Sequence, residues 1–135
     1  MRYDDKNKCV QEMSEDKTAF IVDDCKSIQV LYEKMLSFAG FEVIGIASDG
    51  QQAVNMFREF KIKPNLVLID YRLPKKNGIE AAKEIIQMDG ISKIIITSAD
   101  SRVETQALSI GAYKFLDKTF RLETVNEIFN EISEN

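Results

Sequence analysis

The chain has 135 residues, enough for one domain with an ordinary core, and 44% of them are hydrophobic. Its net charge of -4 argues against direct nucleic-acid binding, because nucleic-acid-binding domains usually carry a basic surface. No apolar stretch is long enough to span a membrane, and no apolar segment of a secretory signal is found near the N-terminus. The chain contains no histidine, so its chemistry must use carboxylates, lysine, hydroxyls or a metal.

The first residues of the chain are polar and charged and show no clear periodicity. We therefore expect a flexible leader over 1–17 and a folded domain over 18–135. The two cysteines, Cys9 and Cys25, fit neither a disulfide framework nor a zinc motif. A reducing, cytoplasmic location is the simplest expectation.

Short apolar runs and segments with helical periodicity alternate along the rest of the chain, and the runs predict buried strands. The runs span 19–22, 43–47, 66–69, 94–97 and 113–116. The helical stripes between and after them comprise Ile28, Leu31, Tyr32, Met35 and Leu36; Ala53, Val54 and Phe57; Ile79, Ala82 and Ile86; Val103, Ala107 and Ile110; and Leu122, Val125, Phe129 and Ile132. This alternation predicts an α/β fold in which helices cover both faces of a five-stranded parallel sheet. The common strand order for such a (βα)5, flavodoxin-like fold is 2-1-3-4-5.

Acidic residues follow two of the predicted strands. Asp23 and Asp24 come directly after the first strand, and Asp70 comes directly after the third. In the order 2-1-3-4-5 these strands are neighbours, and ligands of such sheets bind at the carboxyl ends where the order reverses. Three carboxylates brought together repel one another unless a cation joins them. The sequence therefore predicts a site for a hard, oxygen-binding metal.

The acids belong to a larger set of motifs, all placed at the predicted strand ends. The set comprises Asp23-Asp24, Asp49-Gly50 at the start of the second helix, Asp70 with Pro74 and Gly78, Ser98-Ala99, and Lys118. Each motif is common alone, but together and in this order they are highly specific. From residue 18 onward the chain resembles a response-regulator receiver domain, the phosphoryl-accepting module of two-component signalling.

The resemblance implies a role for each charged residue of the predicted site. Asp70 would accept the phosphoryl group, and Lys118 would neutralise part of its charge. Mg²⁺, or Mn²⁺ in its place, would be bound by Asp24, Asp70 and the backbone carbonyl of Arg72, with Asp23 acting mainly through water. The protein would catalyse only its own phosphorylation and dephosphorylation, as a signalling module and not as a turnover enzyme.

The resemblance also implies how phosphorylation is sensed. The hydroxyl of Ser98 would bind a phosphoryl oxygen; Thr97 competes for this role, but the small residue Ala99 after Ser98 favours Ser98. Adjacent strand residues point to opposite faces, so Ser98 and Thr97 cannot both serve. Phe115 on the fifth strand would move into the space that the hydroxyl leaves. The switched surface would comprise the fourth helix, fifth strand and fifth helix.

Two features near the site lead to separate expectations. Thr119 stands where the family usually has a proline after the lysine, and a cis peptide before a non-proline residue costs about 2.5–4 kcal/mol. The isomer of the Lys118–Thr119 peptide is therefore left open. Arg72 and Asp100 have opposite charges and flank the predicted phosphate position, so we expect them to pair across the mouth of the site and prolong the lifetime of the phosphate.

The expected partners are a sensor histidine kinase or phosphotransfer protein as donor and a downstream protein as target. A weak homodimer on phosphorylation is also considered, whereas nucleic acid and membranes are not expected partners. The main alternative is a degenerate receiver that binds partners without phosphorylation. A phosphatase with an Asp-x-Asp nucleophile motif is disfavoured, since Arg72 follows Asp70 at that spacing. An FMN carrier is disfavoured because Asp23 and Asp24 would repel a phosphate.

Overall fold

The computed structural model describes residues 17–118 and 122–134. The predicted leader, Cys9 and the Lys118–Thr119 peptide therefore lie largely or wholly outside the described residues. The strands are β1 (Thr18–Val22), β2 (Glu42–Ala47), β3 (Leu66–Asp70), β4 (Lys93–Ser98) and β5 (Lys114–Asp117). The helices are α1 (Lys26–Phe38), α2 (Gly50–Glu59), α3 (Gly78–Met88), α4 (Glu104–Ser109) and α5 (Leu122–Glu134), with a short 3-10 turn at Ser101–Val103 before α4.

The strands form one parallel sheet in the order β2-β1-β3-β4-β5, which confirms the predicted α/β fold. The order reverses between β1 and β3, where Val22 lies beside Ile69. On the other side of β3, Asp70 lies beside Thr97 of β4. The carboxyl ends of β1, β3 and β4 therefore meet at the edge where a ligand site was predicted.

Two hydrophobic clusters cover the two faces of the sheet. Alternate residues of each strand enter opposite clusters, as the two-residue period of a strand requires. On β3, Val67 and Ile69 pack under α2 and α3, whereas Leu66 and Leu68 pack under α1 and α5. Asp70 lies two residues after Leu68, so its side chain points to the same face of the sheet, toward α1.

Helix caps fix the loops that carry the site. The side chain of Asn77 accepts the Glu80 N–H, and the side chain of Glu80 accepts the Asn77 N–H, both at 2.9 Å. This capping box begins α3 at a defined residue. Asp49 caps α2 in a similar way by accepting the Gln52 N–H at 2.7 Å. Among the described helices, none is long and apolar enough to cross a membrane.

Candidate functional site

Three carboxylates converge at the carboxyl ends of β1 and β3, as the sequence predicts. Oxygens of Asp23, Asp24 and Asp70 lie within 4.8 Å of one another. Asp23 and Asp70 are buried, with 1% and 5% of their surface exposed, whereas Asp24 faces solvent. Two buried acids and one exposed acid thus form an acidic pocket that opens on one side.

Lys118 is the cation closest to the buried acids in the described structure. Its Nζ lies 3.0 Å from Asp70 Oδ1 and 3.9 Å from Asp23 Oδ2. The Lys118 N–H donates to the Ser98 carbonyl at 2.8 Å, which anchors the residue beside the end of β4. One lysine therefore faces two buried carboxylates, and the pocket retains an excess of negative charge.

The pKa values of both buried acids lie above their usual range, chiefly because of burial. Burial raises the pKa of Asp70 above its usual range, against the opposing hydrogen bond and charge of Lys118. Burial also raises the pKa of Asp23, and the neighbouring charge of Asp70 adds to that rise. Asp23 Oδ2 is buried without a hydrogen-bond partner among the described residues. A buried carboxylate oxygen that accepts no hydrogen bond, beside two further carboxylates, fits a hard divalent cation such as Mg²⁺.

The β1–α1 loop holds Asp23 in place through both its side chain and its backbone. Asp23 Oδ1 accepts the Cys25 N–H at 2.9 Å. The buried side-chain amide of Gln29 donates to the Asp23 carbonyl and to Ser48 Oγ. Sequence reasoning missed Gln29, because a polar residue on a helix is usually exposed and gives no signal of burial.

The β3–α3 loop forms the other wall of the pocket. The Gly78 N–H donates to the Tyr71 carbonyl at 2.9 Å, and the Gly50 N–H donates to the Pro74 carbonyl at 3.3 Å. A surface cavity of about 400 Å³ lies between this loop and the acids. It is lined by Asp24, Tyr71, Arg72, Leu73, Pro74 and Asn77. The cavity therefore joins the β3–α3 loop to the exposed acid of the pocket, Asp24.

Comparison with known proteins identifies the family of the chain. Residues 19–130 match the family model described as the response regulator receiver domain. The chain belongs to this family. Chemotaxis protein CheY of Thermotoga maritima is 36% identical over 119 residues, covering 87% of this chain and 98% of its own. The molecule is thus a receiver domain of the CheY type with an acidic pocket formed by Asp23, Asp24 and Asp70.

Solved receiver structures share the fold. The receiver domain of sensor histidine kinase PA1611 from Pseudomonas aeruginosa, with magnesium in its active-site cleft, has a TM-score of 0.75 and 25% identity. The match covers 88% of this chain and 98% of that one. CheY of Borrelia burgdorferi, in complex with CheX, BeF3 and magnesium, has a TM-score of 0.80 at 24% identity over 87% and 89% of the two chains, and shows the fold alone.

The two hydroxyls at the end of β4 differ in what they contact in this receiver. The Thr97 hydroxyl donates to Asp70 Oδ1 at 3.3 Å. Ser98 Oγ instead accepts the Asp100 N–H at 3.0 Å within the β4–α4 loop. Both side chains are buried. In this structure the hydroxyl that touches the predicted phosphoacceptor is that of Thr97, while the phosphate-binding role of Ser98 stays a prediction.

The predicted pairing of Arg72 with Asp100 is not the pairing that the receiver forms. Asp100 accepts two hydrogen bonds from the Arg102 guanidinium, each at 3.0 Å. Those bonds hold the pKa of Asp100 below its usual range, and Arg72 contributes to this only through its more distant charge. The expectation was wrong because Arg102 is only two residues from Asp100. This local pair is favoured over a pair with Arg72, which lies on another loop across the opening of the site.

Phe115 lies on β5, half-buried against the cluster that contains Val103 and Ala107 of the α4 segment. This position is at the border between the core and the face formed by α4, β5 and α5. A ring in this place can change its exposure without crossing the sheet. Its predicted part in switching remains an expectation.

Proposed function

We propose that this receiver accepts a phosphoryl group on Asp70 in a two-component phosphorelay. The observation that carries the proposal is the pair formed by buried Asp70 and Lys118 at 3.0 Å, beside two further carboxylates. A nucleophilic carboxylate with a cation within reach suits phosphoryl transfer, in which positioning and charge neutralisation do most of the work. The relatives named CheY support the same class of function.

Each residue then has a defined task. A carboxylate oxygen of Asp70 forms a bond to phosphorus, and the bond between phosphorus and the phosphohistidine nitrogen of the donor breaks. Lys118 shifts from Asp70 toward the phosphoryl oxygens, whose negative charge it neutralises. Ser98 donates its hydroxyl to one of these oxygens. Arg72 and Asp100 act on the lifetime of the phosphate separately, since they do not form the expected pair.

The donor set for a metal consists of oxygens, as Mg²⁺ or Mn²⁺ requires. Asp24, Asp70 and the Arg72 carbonyl would hold the ion directly, and Asp23 would act through water. When bound, the ion would neutralise charge on the transferring group. Asp23 Oδ2, which accepts no hydrogen bond from the described residues, supports a cation at this position, as does the magnesium in the active-site cleft of the PA1611 receiver.

The output would be a change of surface and not a reaction product. Phe115 and the face of α4, β5 and α5 would respond to the phosphate and bind a downstream protein in the cytoplasm. A sensor histidine kinase or phosphotransfer protein would supply the phosphoryl group, and the phosphorylated form would also associate weakly with itself. In the Borrelia complex the named partner of CheY is CheX, which illustrates a receiver engaged by a protein.

The proposal is tested by incubating the protein with Mg²⁺ and acetyl phosphate and measuring its intact mass. We expect a phosphoryl adduct that is absent in Asp70→Asn, because the amide that replaces the carboxylate is not a nucleophile. Asp89→Asn is the matched control, since Asp89 lies at the end of α3 and accepts only local hydrogen bonds in the described structure. An adduct that persists in Asp70→Asn would place the phosphoryl group on another residue. A wild-type protein that takes none would favour a phosphorylation-independent interaction module.

The buried acids should also give the metal-free protein a characteristic pH dependence. Because the folded-state pKa values of Asp23 and Asp70 are raised, each acid favours folding below its unfolded pKa and loses that contribution as pH rises through the folded pKa. In a chelator, Asp23→Asn should therefore gain stability over wild type as pH rises from mildly acidic to neutral. Chemical denaturation followed by circular dichroism measures this difference.

Magnesium should reverse that difference. At a free concentration roughly a hundredfold above its Kd, Mg²⁺ would stabilise the wild type by about 2.7 kcal/mol. The gain should be smaller in Asp23→Asn, which lacks one of the acids. A wild-type stability that does not respond to Mg²⁺ would contradict a metal site made from these carboxylates. A difference that narrows toward neutral pH in chelator would contradict the raised pKa of Asp23.

A further inference from the structure

Two buried hydroxyl groups lie beneath the phosphoacceptor, on the side of the sheet that faces α1. Thr97 of β4 is 1% exposed and Tyr32 of α1 is 3% exposed. A buried hydroxyl costs free energy unless it is hydrogen-bonded, and an apolar side chain of similar size would fill either position. Thr97 contacts Asp70 and Tyr32 contacts Thr97, so the two hydroxyls call for a role beyond packing.

Thr97 contacts the same oxygen of Asp70 as Lys118 does. The register places Thr97 directly beside Asp70, and its hydroxyl donates to Oδ1 at 3.3 Å. Lys118 Nζ lies 3.0 Å from that same Oδ1. With both contacts on one oxygen, the carboxylate is held in one orientation, and Oδ2 is the oxygen left for attack on phosphorus.

Tyr32 of α1 contacts Thr97 in turn. Burial raises the pKa of the Tyr32 phenol far above its usual value, and the charges of Asp23 and Asp70 raise it further. The phenol also lies within hydrogen-bonding reach of the Thr97 hydroxyl. The phenol therefore stays protonated. In the inferred arrangement it donates to the Thr97 oxygen, because the single hydrogen of the Thr97 hydroxyl is directed to Asp70.

We propose that Thr97 is a positioning residue that orients Asp70 for phosphorylation, and that Tyr32 acts through Thr97 by holding its hydroxyl. This inference rests on the proposed function and deepens it. Ser98, which points to the opposite face of the sheet, keeps the separate task of binding a phosphoryl oxygen. The two adjacent hydroxyls of β4 thus have different tasks in the same reaction. Thr97 orients the attacking carboxylate, and Ser98 binds an oxygen of the phosphoryl group.

The arrangement also suits the product. When Asp70 Oδ2 bonds to phosphorus and the donor's bond to phosphorus breaks, Oδ1 becomes the carbonyl oxygen of an acyl phosphate. Lys118 then turns toward the phosphoryl group, because the negative charge has moved there. Thr97 can keep donating to Oδ1, since a carbonyl oxygen still accepts a hydrogen bond. Thr97 therefore holds Asp70 in place while Lys118 moves away from Asp70.

The test measures the rate of phosphorylation by acetyl phosphate, over a range of Mg²⁺ concentrations, with intact mass as the readout. Thr97→Val should be slower than wild type by about three- to tenfold, the effect of one orienting hydrogen bond. Thr97→Ser should restore the rate to within about twofold, because it keeps the hydroxyl. The Mg²⁺ concentration for half-maximal rate should be unchanged in both.

Tyr32→Phe should slow the reaction less than Thr97→Val, and the double variant should be no slower than Thr97→Val alone, because Tyr32 acts only through Thr97. Thr18→Val is the matched control: its hydroxyl accepts the Asn65 N–H at the far end of β1. Thermal melts of all variants separate a loss of folding from a loss of orientation.

Several outcomes would overturn the inference. A wild-type rate in Thr97→Val, or Thr97→Ser as slow as Thr97→Val, would show that the hydroxyl does not orient Asp70. Additive losses from Thr97→Val and Tyr32→Phe would show that Tyr32 acts independently of Thr97. A wild-type protein that accepts no phosphoryl group would remove the proposed function as well, whereas the other outcomes leave that function intact.

Discussion

Replacing Lys118 with methionine should slow the phosphorylation of Asp70 by about 10²–10³-fold, the usual effect of removing one preorganised group that stabilises developing charge. Lys118 lies 3.0 Å from Asp70, and 32% of its side chain is exposed, so it reaches the pocket from the solvent side. Methionine keeps the length and much of the apolar contact of the lysine stem but has no charge. The phosphoryl oxygens would then lack their protein cation.

The same substitution should also weaken the metal-free fold. Two buried acids would lose their nearest cation, and an uncompensated buried charge is costly. The melting temperature in chelator should therefore fall, and Mg²⁺ should recover more of it than in wild type. Lys114→Met is the matched control, since Lys114 begins β5, the strand that Lys118 directly follows, and its Nζ is 5.9 Å from the ring centre of Tyr113. Equal rates in Lys118→Met and Lys114→Met would show that Lys118 has no part in the reaction.

The sequence was sufficient to predict the fold because its signals are local and repeated. Each buried strand is a short apolar run, and each helix carries a stripe at helical spacing, so the alternation alone predicts a parallel sheet. The strand order then followed from the fold rule for such sheets, and it placed Asp23 and Asp24 beside Asp70. Convergence of the three acids needed no knowledge of side-chain conformations.

Contacts between side chains at the strand ends were harder to predict. Strand parity shows that Thr97 and Ser98 point to opposite faces, but not which face Asp70 shares. That depends on where β3 ends and on its register with β4, which the sequence does not encode locally. Tyr32 was interpreted as an ordinary member of an apolar stripe, because its phenol finds a polar partner only once the sheet has formed.

Charge complementarity proved a weak guide to pairing. Arg72 and Asp100 have opposite charges at suggestive positions, yet Asp100 pairs with Arg102. A partner two residues away costs less conformational entropy to engage than one on another loop, and an exposed pair gains too little to offset the difference. Expectations for surface ion pairs are therefore less secure than those for buried acids, whose place is fixed by the strands that carry them.

Gly78 should be one of the most sensitive positions of the receiver, although it carries no functional group. A Cβ at this residue would lie 2.3 Å from the Asp70 carbonyl oxygen and 2.9 Å from the Tyr71 Cα. Both are backbone atoms, so no side chain can move aside to make room. Gly78→Ala should therefore destabilise the fold by about 1–3 kcal/mol, the usual cost of overpacking, and displace the loop that carries Arg72.

Because that loop also closes on Asp70, the same change should impair phosphorylation and Mg²⁺ binding beyond its effect on stability. Chemical denaturation gives the free energy of unfolding, and calorimetric titration with Mg²⁺ gives the affinity, a suitable choice for a chain without tryptophan. Gly90→Ala is the matched control, since its Cβ would come no closer than 4.0 Å to another atom in the described structure. If Gly78→Ala matched Gly90→Ala in both measurements, the close contact between α3 and the Asp70 backbone would not be what shapes the site.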